Sequence, residues 1–330
     1  MKHILNRLIN HENISSVEAR NVLVNISRGL YNQSQIASFL TVFMMRSITL
    51  EELQGFRDAL LELCLPVDLS NFNAIDLCGT GGDRKDTFNI STLSSFVTAG
   101  AGVKVAKHGN YGVSSASGSS NVMEALGIHF SNKPDFLKYA IDQAGICVLH
   151  APLFHPAMKN VAPIRKELGV KTFFNMLGPM VNPAFPKNQM VGVFNLELQR
   201  LYGYLYQNTN KNYSIVHSLD GYDEISLTGK TKIISNRSET IFSPSDLNVE
   251  QIEQSDIFGG SSVKEAAKIF KTIIKGKGTD AQNNVVYANA GLAIATVNNI
   301  SHLEGFQLAK ESLESGRAKA SLERLIELSK

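Results

Sequence analysis

The chain has 330 residues, 43% of them hydrophobic, enough to bury one large or two modest cores. Lys and Arg number 32 against 30 Asp and Glu, a formal charge of +2, which excludes a chain-wide basic field for nucleic acid or anionic lipid and makes any anion site local. Cys64, Cys78 and Cys147 are odd in number and widely spaced, as expected of free thiols in a reducing cytoplasm, and neither a signal peptide nor an apolar run long enough for a membrane span is present.

Ile4, Leu5, Leu8 and Ile9 recur at helical spacing, and four short helices fit before Pro66. Ser15 with Glu18 and Thr49 with Glu52 match the capping box, in which two side chains satisfy each other's orphan backbone donors; Gly29 suits a helix stop. After Asn73 short apolar runs alternate with helical stretches: AIDLC, a helix from Ser91, VKVAK, a helix from Ser119, and ICVLH. That alternation predicts βαβ units. An interruption over 156–187, ending in NPAFP, reads as helix and loop that docks on the N-terminal helices rather than on a sheet. Strands are expected at 190–194, 213–218 and 230–235, and helices near 197–208, 261–275, 281–298 and 301–315. The expected fold class is α/β, with a small N-terminal helical domain over 1–70 and a larger α/β domain with a mainly parallel sheet over 71–330.

Four segments carry chemistry. In CGTGGDRKDTFNIST, residues 78–92, a strand runs through three glycines and Asp83 into a helix start at Asn89, Ser91 and Thr92. Glycines let backbone N–H groups approach a phosphate, and the helix N-terminus favours the same anion. The loop is neither a nucleotide P-loop nor a dinucleotide fingerprint. KHGNYGVSSASGSS, residues 107–120, follows the next strand, with Lys107 to balance pyrophosphate charge and Ser115, Ser117 and Ser119 to offer hydroxyls. Alone it reads equally as a polar loop. In DGYDEIS, Asp223 and Glu224 follow a strand, and adjacent carboxylates suit Mg²⁺, although most such pairs are solvated surface. In the segment 151–169, Arg165 can clamp a planar carboxylate through two parallel N–H bonds; alone it reads as a surface ion pair, His155 as a packed helix-start residue and His108 as a structural donor. No Ser-His-Asp constellation or zinc spacing is present.

In order and spacing, GTGGD, NIST, KHGN, S-S-x-S-G-S, FHPAM with R-x-E-L-G and N-x-L-G-P-x-x-N-P, and DGxDE together resemble the anthranilate phosphoribosyltransferase family, densely over residues 76–226, with N-A-G-x-A at 289–293 in further support. The resemblance implies a nucleoside phosphorylase type of α/β domain, a homodimer, and transfer of the phosphoribosyl group of 5-phosphoribosyl 1-pyrophosphate to anthranilate. It assigns Gly79, Gly82, Asp83, Thr87, Asn89, Ile90, Ser91, Thr92, Lys107, His108, Gly109, Asn110, Ser115 and Ser119 to phosphoribosyl pyrophosphate. Ser91, Asp223 and Glu224 would serve Mg²⁺, and Gly79, His108, Asn110, His155, Arg165 and Pro179 would meet anthranilate. No dedicated general base is expected, because an aromatic amine is already a neutral nucleophile. The family commonly has Ala-Asp where this chain has Ser120-Asn121, so a changed hydrogen-bond network is expected there. Two rivals fare worse: a nucleoside phosphorylase is longer and takes inorganic phosphate, and a non-catalytic nucleic-acid-binding relative would show eroded motifs and a basic stripe.

Overall fold

The computed structural model describes residues 1–112 and 117–330, which divide into two compact units: Met1–Val67 with Ala151–Pro183, and Asp68–His150 with Ala184–Lys330. The first unit opens with helices α1 (Lys2–Ile9), α2 (Ser16–Ser27), α3 (Gln33–Met45) and α4 (Leu50–Leu63). The boxes at Ser15/Glu18 and Thr49/Glu52 both form, and Asn32 with Gln35 makes a third that the sequence reading passed over. Each such cap stabilises its helix by ~1 kcal/mol. Glu52, fully buried, does more than cap: it accepts from the Ile14 N–H at 3.1 Å and pairs with Arg46. A Cβ on Gly55 of α4 would lie 2.2 Å from the Ser16 carbonyl, so glycine there lets α2 and α4 meet backbone to backbone. The segment 151–183 joins these helices through Phe173, whose ring stacks on Phe56 at 4.2 Å and lies edge-on to Phe39 and Phe43. It starts at Ala151, directly after a strand and ahead of the expected 156, because strand runs into helix with no intervening turn.

The second unit is built on β1 (Ile75–Gly79), α5 (Ile90–Gly100), β2 (Val105–Gly109), α6 (Ser119–Ala125), α7 (Pro134–Ala144), β3 (Ile146–His150), β4 (Asn188–Gly192), α8 (Leu196–Tyr206), β5 (Asn212–Ser218), β6 (Thr231–Ser235), β7 (Glu239–Phe242), α9 (Val263–Ile273), α10 (Asp280–Asn298), α11 (His302–Glu314) and α12 (Arg317–Leu328). The helices α7 and α12 and the edge strand β7 add to what was read from the sequence. Among the described residues the sheet has seven strands in the order β3-β2-β1-β4-β5-β6-β7, parallel from β3 to β5 and antiparallel beyond. The chain steps outward one way from β1 to β3, then restarts beside β1 with β4 and steps the other way. Open sheets of this kind bind ligands beyond the carboxyl ends of the strands at such a reversal. Here Gly79 and Gly192 are register partners at that point.

Candidate active site

Beyond β1 the chain enters the first glycine loop, where Gly81, Gly82, Arg84 and Asp86 all have positive φ. Glycine accepts this freely, whereas Arg84 and Asp86 each carry strain of about 1 kcal/mol or more. Alternating handedness of this kind gathers backbone N–H groups into an anion-binding concavity. The loop's rear is fastened by a segment that sequence reasoning missed: the Phe88 N–H donates to the Ile257 carbonyl at 3.0 Å and the Gly259 N–H to the Asp86 carbonyl at 2.8 Å. A Cβ on Gly259 would sit 2.3 Å from the Thr87 carbonyl oxygen, so the Gly259-Gly260 pair was the available signal. Asn89 precedes α5 without capping it; its Nδ2 donates instead to the Ser117 carbonyl at 3.2 Å and ties the first loop to the second. Ile90 and Thr92 are buried in the first turn of α5, with Ser91 between them.

Beyond β2 lies the second loop. Lys107 is buried, its Nζ donating to the Leu77 carbonyl at 2.8 Å, and burial holds its pKa below the usual lysine value. The buried His108 donates its backbone N–H to Asp76 Oδ1 at 3.0 Å. A Cβ on Gly109 would meet Ser119 Oγ at 2.8 Å, and that hydroxyl donates to the Asn110 carbonyl at 3.2 Å, while Asn110 Oδ1 accepts from the Tyr111 N–H. At the departure from the family pattern, Asn121 Oδ1 accepts from both the Gly112 and Gly118 N–H groups, at 3.0 and 3.1 Å, and Ser120 Oγ lies 2.9 Å from His150 Nδ1. Ser115 lies outside the described residues.

The acidic pair closes the site from above the sheet reversal. A Cβ on Gly79 would lie 2.6 Å from Asp223 Oδ2, and one on Gly192 would lie 1.5 Å from the Asp223 carbonyl oxygen. Two glycines side by side thus let the turn settle onto the strand ends. Asp223 Oδ2 accepts from the Gly81 N–H at 2.6 Å, and Glu224 Oε1 from the Ser91 N–H at 3.3 Å. Burial pushes both carboxyl groups well above the usual carboxylate range; the charge of Asp83 adds to this for Asp223, and that of Asp223 for Glu224. Lys107 is the cation that offsets this for Glu224. Buried carboxylates in excess of cations fit a hard, oxygen-ligated divalent ion. Among the described residues no three His, Cys, Asp or Glu side chains are grouped so as to hold a metal ion by themselves. Around the same loops, Thr80 Oγ1, Thr92 Oγ1 and Ser117 Oγ are buried without a hydrogen-bond partner among the described residues. Such groups are rare unless a polar ligand or water meets them.

The remaining expected residues belong to the helical unit. Arg165, in the helix Ala162–Leu168, donates Nη2 to Asn175 Oδ1 at 3.3 Å and lies 5.2 Å above the Phe174 ring. Among the described residues no carboxylate pairs with it. His155 is buried, its ring meeting backbone of Val181 and Leu60, and burial lowers its pKa to about 4. Pro179 is buried in the turn Gly178–Val181.

One unit carries a mainly parallel α/β sheet with two glycine loops at its reversal and the other is a helical bundle, and these two units match a glycosyltransferase class. Consistent with this, residues 71–319 match the glycosyl transferase family, a/b domain, and residues 2–64 match its helical bundle domain. The anthranilate phosphoribosyltransferase of Flavobacterium psychrophilum is 73% identical over 329 residues, covering 100% of both chains. Among solved structures, the anthranilate phosphoribosyltransferase of Thermus thermophilus superposes with a TM-score of 0.90 at 32% identity over 98% of each chain. That of Saccharomyces cerevisiae, in complex with PRPP and Mg, gives 0.90 at 29% identity over 98% of this chain and 96% of the other. The chain belongs to the anthranilate phosphoribosyltransferase family.

Proposed function

We propose that this chain transfers the 5-phosphoribosyl group of phosphoribosyl pyrophosphate to the amino nitrogen of anthranilate, a step of tryptophan biosynthesis. The bond from the ribose anomeric carbon to the pyrophosphate oxygen breaks, a bond from that carbon to nitrogen forms, and the ammonium proton is lost to solvent. The observation that carries the reading is the Asp223–Glu224 pair, the first buried and the second partly so, set among backbone N–H donors and buried unpartnered hydroxyls at the sheet reversal. Gly79, Gly82, Thr87, Asn89, Ile90, Ser91, Thr92, Lys107, His108, Gly109, Asn110 and Ser119, with Asp83, would hold phosphoribosyl pyrophosphate through close backbone approach and hydroxyl donors. Ser91, Asp223 and Glu224 would hold Mg²⁺, which supplies charge neutralisation for the departing pyrophosphate. Arg165 would take the anthranilate carboxylate, with Gly79, His108, Asn110, His155 and Pro179 shaping recognition. Positioning and electrostatic stabilisation then dominate over proton transfer.

A homodimer formed through the helical unit and a cytoplasmic location complete the proposal. Ile9, Val17, Leu30, Met44 and Met45 are large apolar side chains exposed on that unit, and among the described residues no helix is long and apolar enough to cross a membrane. Mixing the protein with anthranilate, phosphoribosyl pyrophosphate and Mg²⁺ should extinguish anthranilate fluorescence, and chelation should prevent it. A folded protein that leaves the fluorescence unchanged would overturn the reading.

A further inference from the structure

The N-A-G-x-A segment lies in α10, outside the loops described above. Asn289, 1% exposed, accepts from the Ile225 N–H on Oδ1 at 3.0 Å and donates Nδ2 to the Ile225 carbonyl at 2.8 Å; the same Nδ2 donates to the Val285 carbonyl at 2.8 Å. Only one orientation of the amide satisfies both groups of Ile225, so its oxygen and nitrogen are assigned by the contacts themselves. Residue 225 follows Glu224 directly, and Ser218 Oγ donates to the Glu224 carbonyl at 2.7 Å from the other side. The helix bearing Asn289 is closely packed along this stretch. Every residue from Val285 to Ala295 is buried, and a Cβ on Gly305 of α11 would lie 2.1 Å from the Gly291 carbonyl oxygen, so the two helices touch through their backbones.

We propose that Asn289 is a positioning residue for the acidic pair. It anchors the backbone at residue 225 to a rigid helix, so that Asp223 and Glu224 present their carboxylates toward Gly81 and Ser91 at fixed places. The inference rests on the reading that this pair holds the divalent ion. Groups that orient metal ligands from behind typically change metal affinity by about 10- to 100-fold when removed. A leucine at 289 keeps the number and branching of the side-chain heavy atoms and loses all three hydrogen bonds. An aspartate keeps an acceptor for the Ile225 N–H but, when ionised, has no donor for its carbonyl.

The test is Mn²⁺ binding to the full chain, read from the free-ion electron paramagnetic resonance signal with phosphoribosyl pyrophosphate present and anthranilate omitted, so that no turnover occurs. Asn289→Leu should weaken Mn²⁺ binding by about tenfold or more and Asn289→Asp by less, with the anthranilate KM of both unchanged in the Mg²⁺ assay. Folded Asn289→Leu with wild-type Mn²⁺ affinity, alongside an Asp223→Asn/Glu224→Gln protein that has lost it, would overturn the inference alone. An Asp223→Asn/Glu224→Gln protein that binds Mn²⁺ like wild type removes the metal reading and this inference with it. If Asn289→Leu does not fold, amide exchange in the wild-type protein decides. The Ile225 N–H should exchange as slowly as the buried amides of α10, and exchange at the rate of loop amides refutes the anchor.

Discussion

Replacing Gly192 with alanine tests the site geometry where it is least forgiving. The new Cβ would lie 1.5 Å from the Asp223 carbonyl oxygen. Ordinary contact needs roughly 3.5 Å, so the turn must retreat by about 2 Å. The atom in the way is backbone, and the turn is tied to Gly81, Ser91 and Asn289, so the clash cannot be relieved by rotating one side chain. Overpacking of this kind costs about 1–3 kcal/mol, which lowers Tm by several degrees. A reactive arrangement displaced by even ~1 Å loses on the order of a hundredfold in rate. The expected result is therefore a folded, less stable protein with kcat/KM for phosphoribosyl pyrophosphate reduced about a hundredfold or more. Gly203→Ala is the control: it lies within α8, and the nearest atom to its Cβ is Ile234 Cγ2 at 3.7 Å. Alanine there should stabilise the helix by about 0.5–1 kcal/mol and leave turnover unchanged. Anthranilate fluorescence loss and thermal melting measure both. Wild-type turnover by Gly192→Ala, or equal loss in both variants, would refute the argument.

Arg165→Lys keeps the charge but not the parallel pair of N–H donors, so KM for anthranilate should rise about tenfold or more while KM for phosphoribosyl pyrophosphate stays unchanged; equal anthranilate KM values would count against Arg165 as the carboxylate ligand. Asn121→Asp preserves an oxygen acceptor for the Gly112 and Gly118 N–H groups and should leave activity within about threefold, whereas Asn121→Ala strands both donors and should lower kcat/KM for phosphoribosyl pyrophosphate by about tenfold. An aspartate variant more active by orders of magnitude would show that the amide is a defect rather than a substitute. Burial lowers the His155 pKa from 6.5 to about 4, so the neutral ring is favoured in the fold; its contribution is present above pH 6.5 and lost as pH falls toward 4, on the order of 3 kcal/mol at most. Denaturant unfolding at pH 7.5 and pH 4.5 should show a smaller drop for His155→Gln than for wild type, and identical drops would contradict this.

The helical start, the strand-helix alternation and the two glycine loops were legible because their signals are local: a cap three residues from its partner, a glycine where φ turns positive. Asp223 and Glu224 were legible only as a pair. What lets Asp223 settle onto the strand ends is the adjacency of Gly79 and Gly192, which belong to strands far apart in sequence and become neighbours only when β4 inserts beside β1. For the same reason nothing local announced that residues 257–259 fasten the first loop, or that Asn289 reaches Ile225. Lys107 illustrates a different limit: its motif announces a cation at this site, but not that its Nζ is buried against the Leu77 carbonyl, which depends on how β2 pairs with β1. Its charge bears on Glu224 from beneath.

The same geometry argues that metal dependence is a property of binding as well as of turnover. The Gly81 and Ser91 N–H groups would suit a phosphate, yet each faces a carboxylate of the acidic pair. Two unit charges about 4 Å apart repel by roughly 4 kcal/mol at an effective dielectric constant of ~20. A pyrophosphate brought to these loops without a cation makes two side chains that burial already renders reluctant to ionise harder still to ionise, and any charge they keep meets it with that repulsion. With a divalent ion between them, the same carboxylates become part of the attraction. Titrating phosphoribosyl pyrophosphate into the protein by calorimetry should therefore show affinity weakened by at least about a hundredfold, roughly 3 kcal/mol, when Mg²⁺ is replaced by a chelator. Replacing the carboxylates in an Asp223→Asn/Glu224→Gln protein should shrink that difference by relieving the repulsion. Equal affinity in chelator and Mg²⁺ for the unaltered protein would mean that the acidic pair does not face the pyrophosphate at all.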